Sequence, residues 1–286
     1  MEHQSHVSES PHRSEKKDSE VKQFDFNKLK EKPQRQITVD GDHGSMGVSD
    51  MNLLYYGKDI LCLTDRSGHK TNTLPSGELN VWDICWSSFL DRFLILTPTT
   101  LHSLNVQTKK VTQIKQVSDK NKTAFRRCTC SNHTLLVSFE HRGSVVDEWD
   151  MSGEWKMMRR WQPPVSCQQN EWIFDIRFSC DGSRLGVTVW VNDQYNQVQV
   201  RDRSMNILNN ITFPCHLAFG YFLLSVPSGQ WLTHEWKNKA LRIIDRDGIL
   251  QQTLTYDKSV RTTALLGQRC LVIRTDDNEL CFHDLC

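Results

Sequence analysis

Apolar side chains are almost missing from the first 33 residues, which are rich in Ser, Glu, Lys, His and Gln. Such a stretch cannot bury enough surface to offset its ordering entropy, so residues 1–33 are predicted to be a disordered polar tail. Further along, no run approaches the length of about 20 apolar residues that a membrane helix needs. Met1 opens a polar stretch with no secretory h-region. A cytoplasmic protein with no membrane association is expected. Net charge is also scarce. The formal value is +1 in 286 residues, which argues against a wholly basic nucleic-acid binder or an acidic tail protein and leaves only local patches to act electrostatically. No Cys-x-x-Cys pair and no Cys/His cluster of zinc spacing occur, although the chain has 10 cysteines. Most of these stand in apolar strand patterns, such as Ile60-Leu61-Cys62-Leu63, and are expected to be reduced core residues. Gly-x-Ser-x-Gly, a phosphate loop and His-Glu-x-x-His are all absent, and the 11 histidines are dispersed. Catalysis therefore finds little support, and no cofactor is predicted.

What the chain has in abundance is a recurring turn. Short apolar runs end in Asp or Asn and then turn, at Asp65-Arg66-Ser67-Gly68, Asn105-Val106-Gln107-Thr108, Asp150-Met151-Ser152-Gly153, Asp202-Arg203-Ser204-Met205 and Asp245-Arg246-Asp247-Gly248, with a sixth anchor at Asp284. The anchors are spaced by 40, 45, 52, 43 and 39 residues. A period of that length with several short strands per unit is the mark of a radial all-β repeat.

The second unit shows the plan: Val81-Trp82-Asp83-Ile84-Cys85-Trp86, then Phe93-Leu94-Ile95-Leu96-Thr97, then the alternating Leu101-His102-Ser103-Leu104-Asn105, then Val111-Thr112-Gln113-Ile114. The fourth unit repeats it from Trp172-Ile173-Phe174-Asp175-Ile176-Arg177-Phe178, and residues 192–196 are read as an insertion that lengthens its repeat. The last unit stops after Glu279-Leu280-Cys281-Phe282-His283. A ring left so would expose a sheet edge, and Arg35-Gln36-Ile37-Thr38-Val39 is the better candidate to fill it, residues 21–26 the weaker. The reading is a single domain over residues 34–286, made of six four-stranded units closed by an N-terminal strand. The first unit's inner strand is placed somewhere in residues 40–49.

These units resemble blades of WD40 or NHL β-propellers over roughly residues 35–286. Trp149-Asp150 stands where a WD40 blade ends its third strand. Ile176-Arg177-Phe178-Ser179-Cys180-Asp181-Gly182 is similar to a WD40 first-to-second strand turn, and Leu241-Arg242-Ile243-Ile244-Asp245-Arg246-Asp247-Gly248 looks more like an NHL repeat. Only one unit has the Trp-Asp pair, so the subfamily stays open. The resemblance implies a central channel lined by inner strands, with binding at its rim.

Aligning the inner strands gathers Trp82, Asp83, Arg127, Phe174, Asp175 and Tyr221 near one channel mouth. Mixed charge with aromatic side chains suits recognition of a protein partner, although an Asp at that place also serves to cap turns of the neighbouring unit. A second constellation is basic: Lys115, Lys120, Lys122, Arg126 and Arg127, with Lys156, Arg159 and Arg160 in the next unit. These residues are read as sharing the same rim, where they could contact the phosphates of RNA. The main reading is a non-catalytic scaffold or substrate-recognition module, monomeric alone. An NHL-like RNA-binding propeller is the second reading. The third is a calcium-assisted propeller hydrolase with Asp83 and Asp175 as ligands.

Overall fold

A computed structural model describes residues 24–41, 44–75, 79–116, 123–215 and 220–286. Apart from a 3-10 helix at Phe26–Lys30, the regular structure of those residues is all β. Strand β1 is Arg35–Thr38. Four strands follow, β2 (Met46–Val48), β3 (Asn52–Tyr56), β4 (Ile60–Asp65) and β5 (Lys70–Pro75), paired in chain order as one antiparallel sheet. The pattern repeats with β6 (Asp83–Ser87), β7 (Arg92–Leu96), β8 (Thr100–Leu104) and β9 (Val111–Gln116). It repeats again with β10 (Phe125–Ser131), β11 (Thr134–Phe139), β12 (Val146–Asp150) and β13 (Lys156–Trp161), and with β14 (Trp172–Phe178), β15 (Arg184–Asn192), β16 (Tyr195–Asp202) and β17 (Ile207–Pro214).

The rest of the chain makes one seven-stranded sheet. It contains β18 (Tyr221–Ser225), β19 (Trp231–Glu235), β20 (Asn238–Ile244), β21 (Leu250–Leu266), β22 (Cys270–Thr275) and β23 (Glu279–Asp284), with β1 as its last strand. The 17-residue β21 pairs β20 through its first half and β22 through its second. Strand β1 pairs antiparallel with β23, Arg35 opposite Phe282 and Thr38 opposite Glu279.

The repeated turns have a simple local cause. Each acidic or amide anchor accepts backbone N–H groups of its own turn, which replaces ladder bonds the chain gives up in reversing. Asp245 Oδ1 takes the amides of Asp247 and Ile249 at 2.9 and 2.8 Å. Asp202 Oδ1 takes those of Ser204 and Asn206 at 2.8 and 2.9 Å. Asp65, Asn105 and Asp150 do the same for His69, Thr108 and Ser152. Gly68 and Gly248 supply the left-handed residue, at φ of 69° and 85°.

The core lies between neighbouring sheets. Leu54, Tyr56, Leu61 and Leu63 of the first sheet pack on Ile84, Phe93, Ile95 and Leu104 of the second. Leu136, Val146 and Trp161 meet Ile173, Ile176, Phe178 and Val187 in the same way. Met46, Leu53 and Tyr55 pack against Val272, Leu280 and Phe282, so residues from opposite ends of the chain share one cluster. The first strand of each unit touches the first strand of the next in the order β2, β6, β10, β14, β18 and the second half of β21, which returns to β2.

One expectation needs correction. The folded part begins earlier than residue 34: Phe24, Phe26 and Leu29 are buried against Leu254, Tyr256 and Leu285. Asp25 N–H donates to Leu285 O at 3.0 Å and caps the helix through its side chain. Three apolar residues at spacing two and three sufficed to order a segment whose average composition looked too polar. Residues 1–23 of the expected tail lie outside the described residues. Residues 192–196, read as an insertion, lie at the junction of the second and third strands of their unit. Strands β15 and β16 extend through them into a tight hairpin, with Asn192 opposite Tyr195, and Asn192 Oδ1 accepts the amides of Gln194 and Tyr195.

Candidate functional site

The first strand of every unit borders a central channel that holds two cavities, of ≈ 370 and ≈ 590 Å³. The smaller cavity lies at the mouth where these strands begin, the upper mouth, and the larger lies toward their ends. Between them sits a charged cluster. Arg177 of β14 forks onto Asp83 of β6, with Nη1 to Oδ2 at 2.7 Å and Nη2 to Oδ1 at 3.0 Å. Its Nη1 also donates to Cys128 O at 2.7 Å, and its Nη2 lies 3.2 Å from Asp175 Oδ1.

Each carboxylate also ties its own sheet to the next one. Asp83 Oδ2 accepts Cys128 N–H of β10 at 2.9 Å, and Asp175 Oδ2 accepts Leu223 N–H of β18 at 2.9 Å. Charge-assisted bonds of this kind are about twice as strong as neutral ones. Burial works against the Arg177 charge, yet Asp175 and Asp83 together raise its pKa, so the guanidinium stays protonated. Burial pushes the Asp175 carboxyl up, against the pull of Arg177 and Arg127.

Above this cluster the upper mouth is aromatic and cationic. Arg126 lies 4.5 Å from the ring centre of Phe174, 5.7 Å from that of Trp82 and 5.8 Å from that of Trp172, and bonds Glu140 at 2.9 Å. Desolvation is the main reason its pKa falls to about 10, with Arg127 adding to the effect. Arg127 donates to Trp82 O at 2.7 Å and stands 5.0 Å from the Phe222 ring centre. Phe222 meets Phe174 edge-on at 5.1 Å, and Trp236 completes the lining. Gly220 makes room here: a Cβ on it would come 2.0 Å from Phe174 Cγ.

Toward the lower end, three thiols cluster. Cys128 Sγ is 3.5 Å and Cys130 Sγ 3.9 Å from Cys85 Sγ, and all ten cysteines are free. Their mutual hydrogen bonds, with burial, push the Cys85 thiol up. Cys180, by contrast with the core placement expected for most cysteines, is exposed. Among the described residues no group of three or more His, Cys, Asp or Glu side chains is arranged to hold a metal ion.

No family model matches the chain, and no curated protein matches it in sequence. Solved structures do. A chain of a mitotic checkpoint complex superposes with a TM-score of 0.63 at 13% identity, over 99% of this chain and 98% of that one. The β-propeller domain of Myceliophteria thermophila Cps50 (Swd1) superposes with a TM-score of 0.58 at 11% identity, over 89% of this chain and 99% of that domain. The fold is a β-propeller.

Within the propeller, the expected mouth residues separate into two groups. Trp82, Arg127 and Phe174 line the upper cavity together with Asp83. Asp83 and Asp175 are buried and engaged with Arg177 and with strand amides of the neighbouring units rather than with turns. Arg177 stands between the two carboxylates, and Arg127 Nε lies 3.9 Å from Asp175 Oδ1. Tyr221 is not at the mouth: it is fully buried, its ring tilted against Phe213 at 5.5 Å, and its hydroxyl donates to Pro214 O at 3.0 Å. Burial raises its pKa to about 12. Strands β10 and β14 have a bulge at Arg126 and Phe174, whereas β18 pairs without one. The alignment therefore slips by one residue, which exchanges faces, and Phe222 takes the channel place.

The basic set does not form one surface. Arg126 and Arg127 belong to the mouth. Lys156, Arg159 and Arg160 lie on β13, three strand spacings or about 14 Å from β10 across the sheet. Arg160 forks onto buried Asp147 at 2.7 and 2.8 Å, and Arg159 stands 4.0 Å from Glu148. Lys115 sits 3.8 Å above the Trp149 ring and donates to Trp155 O. Lys120 and Lys122 lie outside the described residues. Arg177, Trp172, Phe222 and Trp236 were not singled out from the sequence. The available signal was the pair Asp175 and Arg177, opposite charges inside the otherwise apolar run from Trp172 to Phe178.

Proposed function

We propose that this chain is a non-catalytic protein-interaction platform whose partner docks on the upper channel mouth. Counting the seven-stranded sheet as two blades that share β21 gives six blades, and the β1–β23 pairing then closes the ring. The observation that carries the reading is the mouth itself. Trp82, Phe174, Phe222 and Trp236 line a cavity of ≈ 370 Å³, with Trp172 beside its Arg126, set on a floor whose charges are already bonded to one another. Aromatic and Arg side chains fixed on a rigid frame are what binding hot spots are made of. Solved structures with this fold include a chain in a mitotic checkpoint complex, a protein assembly, which agrees with a partner of the same kind.

The alternatives have less to stand on. An RNA reading keeps Arg126 and Arg127 but loses the continuous basic rim, because Arg159 and Arg160 face acidic neighbours on β12. A calcium-assisted hydrolase would have to displace Arg177 from between Asp83 and Asp175. The test is affinity capture with quantitative mass spectrometry, comparing wild type with Trp82→Ala and Arg126→Ala after each variant is shown to melt like wild type. A set of proteins lost from both captures, by about tenfold or more, supports the mouth. A captured set untouched by both variants overturns it.

A further inference from the structure

A second cavity of ≈ 440 Å³ lies away from the channel, where the last unit meets the first. Three arginines line it: Arg35 of β1, Arg66 in the β4–β5 turn and Arg269 in the β21–β22 turn. Strands alternate in direction within each unit, so both turns lie on the face opposite the upper mouth. Asp284 is the one carboxylate in the lining, and Arg269 already forks onto it at 3.2 and 2.8 Å.

The other two guanidinium groups have no carboxylate within ion-pair distance among the described residues. Arg35 lies flat on Phe282, 3.9 Å from the ring centre. Its Nη2 reaches Arg66 O at 3.3 Å, and its buried Nε has no hydrogen-bond partner. Among the described residues the Arg66 side chain bonds a backbone oxygen, Asp50 O, and no carboxylate. Two left-handed glycines hold the walls apart. A Cβ on Gly68 would lie 2.6 Å from Arg35 Nη2, and one on Gly267 would lie 3.0 Å from Arg66 Nε. The site thus collects three planar cations, leaves one of them with an orphaned buried donor, and balances only one charge.

Guanidinium forks match the oxygen geometry of a phosphate monoester, and a dianion would answer the two unbalanced charges. Phe282 and Leu266 give the cavity apolar walls against which a neighbouring part of the ligand can rest. We propose that this pocket is an oxyanion site that takes the phosphate of a phosphorylated segment on a protein partner. It is separate from the upper mouth and does not depend on that reading.

Fluorescence anisotropy at low salt tests it with three probes: a fluorescein-labelled pentapeptide with a central phosphoserine, its unphosphorylated twin, and inorganic phosphate as competitor. The phosphopeptide is expected to bind at least about tenfold tighter than its twin. Arg66→Ala is expected to remove most of that gain, Arg66→Lys to restore part of it, and Arg126→Ala at the opposite mouth to change nothing. Arg66 is exposed, so its variants should fold, and thermal melting verifies that. Equal binding of the two peptides overturns the proposal, as does a gain that survives both Arg66→Ala and Arg269→Ala. Inorganic phosphate that binds while the phosphopeptide shows no gain reveals a bare oxyanion site and overturns the peptide source. A gain lost in Arg126→Ala and kept in Arg66→Ala moves the site to the mouth and overturns it too.

Discussion

Replacing Arg177 with leucine removes the one side chain that bonds both channel carboxylates. The variant loses two bonds to Asp83, the contact with Asp175 and the donor to Cys128 O. Asp83 and Asp175 are left buried with less compensation, and breaking a buried pair from one side costs about 3–5 kcal/mol. For a domain of this size each kcal/mol lowers Tm by about 2–4 °C, so a fall of roughly 6–20 °C is expected. The penalty has a pH signature. Without Arg177, burial and mutual repulsion hold at least one folded-state carboxyl pKa above the unfolded value of about 3.9. Such a group binds a proton on folding in the window between those two values, so the variant gains on wild type as pH falls through it. Urea titrations followed by tryptophan fluorescence at pH 7.5, 6 and 5 should show the gap to wild type largest at pH 7.5 and shrinking steadily. Adding Asp175→Asn should recover part of the loss at pH 7.5 and weaken the pH dependence. A loss below about 1 kcal/mol, or a gap unchanged across that range, would refute the claim that Arg177 holds the two carboxylates in place.

Acid should destabilise the wild-type protein through two buried histidines. Burial drops the pKa of His234 and of His283 to about 4, so their neutral forms support the fold above the unfolded value of about 6.5, and that support is lost as pH falls toward 4. At pH 5 each group should cost about 2 kcal/mol, and His234→Leu should remove its share of the slope in a urea-midpoint series. The N-terminal packing can be tested alone. Phe26→Ala should cost about 3 kcal/mol in the same denaturation assay, whereas a segment that contributes nothing would leave the midpoint unchanged.

The turns were legible because their cause is local. Asp202 and Asp245 bond amides two and four residues away, so the sequence displays each turn in full, and the repeat follows from counting them. Strand β1 was legible for a related reason: a last unit ending at Asp284 lacks a partner strand, and residues 35–39 alternate suitably. The charged channel was not legible. Arg177 meets Asp83 across 94 residues, and the apolar run around Arg177 does not tell which distant carboxylate it meets. Tyr221 was misplaced because a bulge is a change of register that composition does not reveal. The mouth tryptophans Trp172 and Trp236 were hidden among nine that look alike as strand residues.

The same contrast separates what holds this ring from what it can offer a partner. Asp83 and Asp175 look functional in a sequence, since charged residues in a channel suggest chemistry, yet their oxygens and the Arg177 donors are spent on one another, on Ile176 N–H and on joining units. Substituting them should therefore act first on stability, and any loss of partner capture would follow from that. Trp82 and Arg126 stand above the same floor, only partly buried, and Arg126 touches rings from two sheets without bonding their backbones. If the floor is structural and the mouth is the docking surface, Trp82→Ala should reduce capture at unchanged Tm, while Arg177→Leu should lower Tm even where capture persists at low temperature. Finding both effects coupled in both variants would mean that floor and mouth act as one cooperative unit, and the division of labour assigned to them would fail.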